Sequence, residues 1–248
     1  MNREEKLSMM RDMLKLISLG SYNMPEYVFN YYQKHNIPAK QKHFYNIIAD
    51  SFLTLYSFCT LINDGCWSQA STLLRMGLEQ VAAIYIVSYT DGAMDSYINL
   101  QIEKDKCSGL SKEKQKEYLR RNGFRGKVSD YFDYSWIKEY TNDKTYGRDQ
   151  LLKLAHLGEF LPDIEYTLNS FSHGTINIFQ FEKGNWEFMK RYGDRITLTC
   201  CKLFDFLCCS YKNIIGDEFY NLPLNNYFIN FKELYETYLI KEGIKREL

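Results

Sequence analysis

Two segments of the sequence carry residues whose types and spacing could do chemistry. In the first, Arg75 and Glu79 stand four positions apart within the apolar stretch LLRMGLEQVAAIY. At that spacing both side chains share one face of a helix, and charged groups in such an apolar setting are expected to be paired. An arginine that faces a cleft can hold a phosphate or carboxylate through two parallel hydrogen bonds. The alternative is an internal ion pair that sets helix packing.

The second segment is PDIEYTLNSFSHGTINIF, which contains Asn169, Ser170 and His173. On a helix these three residues and Tyr166 fall on one side and form a polar stripe. Histidine can accept or donate a proton near neutral pH, and Gly174 would let a ligand approach the backbone closely. We therefore predict that His173 acts as a general acid or base. The alternative is a histidine that only makes a hydrogen bond across a helix interface.

A third feature is a local excess of positive charge between residues 104 and 127. Nine basic residues stand there against three acidic ones, whereas the whole chain has 31 of each. Clustered basic side chains with nearby glycines could bind the phosphate backbone of a nucleic acid. The alternative is a solvated helix and loop, which is the usual outcome for such a run. The residues predicted to bind nucleic acid are Arg120, Arg121, Arg125 and Lys127.

The elements that must position these residues are predicted to be helices. Four prolines in 248 residues leave few breaks, and no convincing alternating strand pattern occurs. Apolar residues at helical spacing mark two long helices, 44–62 and 68–89, whose short connection predicts an antiparallel hairpin. Further helices are predicted over 91–121, after Pro162, and from Asp194 to about Gly216.

The predicted fold is therefore all-α, a mostly antiparallel multi-helix bundle with an irregular insertion near 122–147. We expect one domain over residues 1–248. Its core covers roughly 39–215, and the N- and C-terminal helices pack on that core.

Composition excludes several classes of function. The formal net charge is zero, so no general attraction to nucleic acid or to an anionic membrane exists. The seven cysteines form no C-x-x-C pair, and the usual phosphate-binding glycine loops are absent. We therefore predict no metal, no cofactor and no membrane association. An N-terminus without an uninterrupted apolar run, together with cysteines that fit a reducing compartment, predicts a cytoplasmic protein.

At these motifs the sequence resembles an uncharacterised family of bacterial helical proteins. The marks of that family are an arginine and a glutamate four apart, a later tryptophan region, and a Tyr-x-x-x-Ser-x-x-His-Gly segment. Here Arg75 and Glu79, then Trp136, then the stretch from Tyr166 to Gly174 carry those marks, and the resemblance covers roughly residues 45–180. This resemblance implies a helical bundle and transfers no biochemical role.

The chain is more distantly similar to HEPN domains, helical bundles that include many RNA-cleaving toxins and phage-defence effectors such as AbiV-type proteins. Their usual mark is an arginine followed by a polar residue, with a histidine four to six residues after the arginine. Asn169 and His173 match the polar residue and the histidine, but Leu168 stands where the arginine would be. Nuclease chemistry would therefore need Arg75 to supply the missing charge from a neighbouring helix.

The resemblance implies a HEPN-like protein of a bacterial defence or toxin system that binds or cleaves RNA without a metal. His173 would exchange protons and Arg75 would stabilise phosphate charge, with Glu79, Asn169 and Ser170 in the same site. One alternative is a non-enzymatic module that binds a partner protein or forms a homodimer through helices held by an Arg–Glu–His network. Another is a small-ligand sensor with a tyrosine-rich pocket.

Overall fold

The described part of the chain is built from helices. The computed structural model describes residues 1–121, 123–124, 126–142, 144–160 and 181–244, with only the backbone described over 181–192. No strand occurs in these ranges, so the all-α prediction is confirmed. The α-helices are α1 (Arg3–Tyr22), α2 (Met24–Lys34), α3 (Lys42–Asn63), α4 (Trp67–Tyr89), α5 (Ala93–Ser108), α6 (Lys112–Arg121), α7 (Val128–Tyr134), α8 (Arg148–Leu154), α9 (Phe181–Ile215) and α10 (Pro223–Glu242).

Helices α3 and α4 form the predicted antiparallel hairpin at the centre of the bundle. Helix α3 ends at Asn63, and Gly65 turns the chain with a φ of +74°, a conformation that glycine adopts without strain. Side chains at helical spacing, among them Phe52, Leu55 and Leu78, are fully buried because the two helices face each other and pack on α9. The hairpin therefore gives Arg75 and Glu79 a rigid support.

The terminal helices belong to the same hydrophobic core as the hairpin. Ile17 of α1 and Phe231 of α10 are fully buried and form part of one cluster that runs through the bundle. Helix α1 packs along α10, and the ammonium group of Lys6 lies 3.0 Å from Asp194 and 2.9 Å from Glu242. Burial works against the charge of Lys6, but these two hydrogen bonds raise its pKa above the ordinary value.

The segment 122–147 is more regular than its sequence indicates. It contains α7 and a 3₁₀ helix at Ser135–Tyr140, and the side chains of Phe132, Trp136 and Ile137 are buried. Trp136 and Ile137 follow Phe132 by four and five positions, which places all three side chains on the side that packs against α5. The predicted irregular insertion is therefore wrong for residues 128–140, which form a packed part of the bundle.

Helix α9 begins well before the predicted start at Asp194, at Phe181. Its cysteines 200, 201 and 208 are fully buried, and burial raises the pKa of each thiol well above its usual range. Such thiols are protonated and poorly reactive. They serve as small apolar core residues, as expected for free cysteines.

One stretch, Ala39–Asn63, is long and apolar enough to cross a membrane by length and composition. It comprises α3 and the short helix before it, and α3 packs on α1, α2, α4 and α9. The core helix of a soluble protein passes the same test. The cytoplasmic location and the absence of membrane association stay predictions from the sequence.

Candidate functional site

Glu79 lies at the edge of a small cavity between α3, α4, α5 and α7. Its carboxylate Oε2 accepts a 2.7 Å hydrogen bond from the hydroxyl of Tyr134, the last residue of α7. Burial and the Glu79 carboxylate raise the pKa of Tyr134, so its phenol is a neutral donor at physiological pH. We call this cavity, of about 210 Å³, the Glu79 pocket; its lining includes His43, Glu79, Gln80, Tyr97, Gln101, Lys104, Asp133, Tyr134 and Trp136.

The Glu79 pocket has two further polar features in the part of the chain that the structure describes, an ion pair and a buried oxygen without a hydrogen-bond donor. The ammonium of Lys104 lies 2.8 Å from the Asp133 carboxylate at the mouth of the pocket. Within the described residues, the buried side-chain oxygen of Gln80 has no hydrogen-bond partner. A buried acceptor without a hydrogen bond costs about 1–3 kcal/mol, so a ligand that donates a hydrogen bond to it would remove that cost. The pocket can therefore bind a polar group.

Arg75 lies one helical turn before Glu79 and is half-buried. The structure therefore confirms that the two residues lie on one helix, at the spacing that brings their side chains to one face. Arg148, at the start of α8, lies close enough to Tyr134 for its charge to act against the rise in the tyrosine pKa. Two arginines thus stand on elements that border the Glu79–Tyr134 hydrogen bond.

The predicted nucleic-acid-binding residues lie on and just after α6. Arg120, Arg121 and Lys127 are exposed, and Arg121 forms a 2.5 Å ion pair with Glu117 one turn earlier. Only Leu119 of α6 is buried, so nearly the whole surface of this helix faces solvent. Arg125 lies outside the described residues. The basic surface is defined here as the exposed residues Lys112, Lys114, Lys116, Arg120, Arg121 and Lys127.

Helix α7 makes hydrogen bonds both toward α6, through Glu103, and to Glu79. The carboxylate of Glu103 on α5 accepts from the hydroxyls of Tyr118 on α6 (3.1 Å) and Tyr131 on α7 (3.2 Å). Tyr131 is one turn before Tyr134, which donates to Glu79. Helix α7 therefore contacts Glu79 with one of its tyrosines and, with the other, the carboxylate that also binds Tyr118 of α6.

Three of the predicted site residues, Asn169, Ser170 and His173, lie outside the described residues. Their assignment to a site with Arg75 stays a prediction. In the described ranges, no three histidine, cysteine, aspartate or glutamate side chains are grouped so that they could hold a metal ion.

Tyr134 is the site residue that sequence reasoning missed. It follows Tyr131 at helical spacing in the segment YFDY, and that spacing is the only signal that could have indicated a helix presenting two phenols on one side. The segment lies within the stretch predicted to be irregular. The partnership with Glu79, 55 positions away, depends on the packing of α7 and could not be read from either motif.

Replacing Tyr134 with phenylalanine is expected to lower the free energy of unfolding by about 1–2 kcal/mol, because a half-buried carboxylate loses a hydrogen-bond donor. Urea denaturation of the two proteins would measure this difference. The matched control is Tyr22→Phe, since Tyr22 is largely exposed, and no change is expected. Equal effects of the two substitutions would show that the Tyr134–Glu79 bond contributes nothing to stability.

Comparisons of the chain with family models, with curated proteins and with solved structures found no match. The resemblances drawn from the motifs therefore stay expectations.

Proposed function

We propose that this helical protein acts on RNA as an effector of a bacterial defence or toxin system, in the manner of HEPN-like proteins. The observation that carries the proposal is that α7 lies between the two features: Tyr131 shares the Glu103 carboxylate with Tyr118 of α6, and Tyr134 donates to Glu79. An RNA strand bound by phosphate contacts along α6 would lie next to α7, whose last residue, Tyr134, donates to Glu79.

Each residue has a distinct part in the proposal. The basic surface binds the phosphate backbone through exposed Lys and Arg side chains, which any RNA sequence can satisfy. Arg75 stabilises charge on the phosphate to be cleaved, because a guanidinium can donate two hydrogen bonds to it. His173 is the general acid or base that exchanges a proton with the RNA during cleavage. Glu79 is a positioning residue, since its carboxylate accepts a hydrogen bond from the Tyr134 hydroxyl.

The test is incubation of the purified protein with a labelled RNA in the presence of a metal chelator. We expect cleavage by the unaltered protein, and a rate at least about a hundredfold lower for His173→Ala, as removal of a general acid or base typically causes. His35→Ala is the matched control, because His35 is a surface residue bonded to Glu218, and full activity is expected. Equal cleavage by His173→Ala would remove His173 from the mechanism. No cleavage by any variant would leave RNA binding as the only part of the proposal still standing.

The second candidate is a non-enzymatic module that binds a partner protein or a second copy of the chain. The observation that favours it is the Glu79–Tyr134 hydrogen bond, which gives one member of the motif a structural partner. Under this alternative the protein cleaves no RNA, and Glu79→Gln changes only its stability, because Glu79 holds α7 against α4.

A further inference from the structure

A second cavity lies on the bundle away from the Glu79 pocket, between α4, α8, α9 and the 3₁₀ helix Gly158–Phe160. We call it the aromatic cleft. Its volume of about 530 Å³ falls in the range of small-molecule sites. The residues of the aromatic cleft that matter here are Tyr85, Tyr89, His156, Lys202, Asp205 and Phe206.

One wall of the aromatic cleft is a continuous surface of rings centred on Tyr85. The ring of Tyr85 lies 4.7 Å from that of Tyr89 and 5.0 Å from that of Phe206, with interplanar angles of 38° and 31°. The His156 ring meets Tyr85 edge-on at 6.0 Å. Burial raises the pKa of the Tyr85 and Tyr89 phenols, so both are uncharged. Such a surface favours a flat aromatic ligand, since bases and other planar rings stack on aromatic side chains.

The Lys202 ammonium occupies the position beside the rings where an organic cation would bind in the aromatic cleft. The ammonium of Lys202 lies 5.4 Å from the ring centroid of Phe160 and 5.6 Å from that of Phe206, and it pairs with Glu159. Its side chain is 18% exposed, so the charge is held in place at the wall. An ammonium group has three donors. Lys202 can therefore donate to a carbonyl or ring nitrogen of a ligand as well as to Glu159.

Asp205 supplies a hydrogen-bond acceptor on the same side of α9. It stands three positions after Lys202, so the two side chains lie on one face of the helix. Its side chain is 12% exposed, and its Oδ1 lies 3.4 Å from the ammonium of Lys232 and 3.9 Å from the sulfur of Cys209. A carboxylate can accept about four hydrogen bonds. Because Asp205 also lines the aromatic cleft, its carboxylate is placed to accept N–H groups from the edge of a ligand there.

We propose that the aromatic cleft binds the guanine ring, either of a free nucleoside or of an unstacked base in RNA. Guanine is planar, and one edge carries a carbonyl for Lys202 beside two adjacent N–H donors for Asp205. Adenine lacks the carbonyl, and uracil and cytosine each lack the adjacent pair of donors. The ionisable lining of Lys153, Lys202, Glu159 and Asp205 is balanced in charge, so a phosphate adds no selectivity. This proposal does not depend on RNA cleavage or on the basic surface.

Isothermal titration calorimetry of the full chain would test the aromatic cleft, first with guanosine, adenosine, uridine and cytidine. We expect guanosine to bind at least tenfold more tightly than the others. A second arm compares a uridine hexanucleotide RNA with the same RNA carrying one central guanosine. Tighter binding of the guanosine-containing RNA supports an RNA base as the ligand, and binding of guanosine alone supports a free nucleoside.

Two variants assign any binding to the aromatic cleft. Asp205→Asn is expected to weaken guanosine at least tenfold, because one acceptor oxygen becomes a donor that faces the ligand N–H groups. Tyr89→Leu is expected to weaken it about fivefold through lost stacking, and half of Tyr89 is exposed, so folding is retained. Asp12→Asn is the matched control and should bind normally, because Asp12 is exposed on α1, which does not line the aromatic cleft. The proposal is overturned if the intact protein binds neither guanosine nor the guanosine-containing RNA. It is also overturned if Asp205→Asn and Tyr89→Leu both bind guanosine as tightly as the control.

Discussion

Replacing Phe204 with alanine is expected to lower the free energy of unfolding by about 3–5 kcal/mol, the largest single effect on stability predicted for this protein. Phe204 is fully buried on α9, with its ring 5.0 Å from Phe231 and 6.2 Å from Phe228 of α10. It also lies against Gly20 of α1, where an added Cβ would come within 3.2 Å of the ring. The substitution leaves a cavity where three helices meet.

Chemical denaturation followed by far-ultraviolet circular dichroism would measure the loss. Phe29→Ala is the matched control, because half of the Phe29 side chain is exposed and its loss should cost less than about 1 kcal/mol. Comparable losses for the two variants would mean that α1, α9 and α10 do not share the core described here.

Neutralising the basic surface is expected to lower RNA affinity by roughly 600-fold near 0.1 M salt. Each phosphate contact releases bound counterions, and each lost contact to single-stranded RNA lowers affinity about fivefold under these conditions. The variant changes four exposed side chains, so it should leave the fold intact; they are Lys112→Gln, Lys114→Gln, Lys116→Gln and Arg120→Gln.

The control must carry the same net charge, because a general change in charge also weakens binding to a polyanion. Arg11, Lys15, Lys40 and Lys138 are exposed on other parts of the bundle, and their replacement by glutamine gives that match. Fluorescence anisotropy with a labelled RNA over a salt series would report both affinity and its salt dependence. We expect a shallower salt slope only for the basic-surface variant. Equal weakening by both variants would rule out a located interface on α6.

The features that depend on local sequence could be predicted. Apolar side chains at helical spacing mark α3 and α4, because a helix in this bundle buries one face whichever partner covers it. The end of α3 near Asn63–Gly65 and the spacing of Arg75 and Glu79 also depend on local sequence. The segment around Phe132 and Trp136 was predicted incorrectly, since α7 is short and owes its order to packing on α5 rather than to its own periodicity.

The helical class, the central hairpin and the basic run follow from the order of the amino acids. Three contacts follow from helix packing instead: Tyr134 donates to Glu79, Glu103 links α6 to α7, and Tyr85 meets Phe206 and Lys202 in one cleft. The physical reason is the range of the interactions involved. Helical periodicity acts over a few residues, whereas these contacts join positions far apart in the chain and arise from the way whole helices pack.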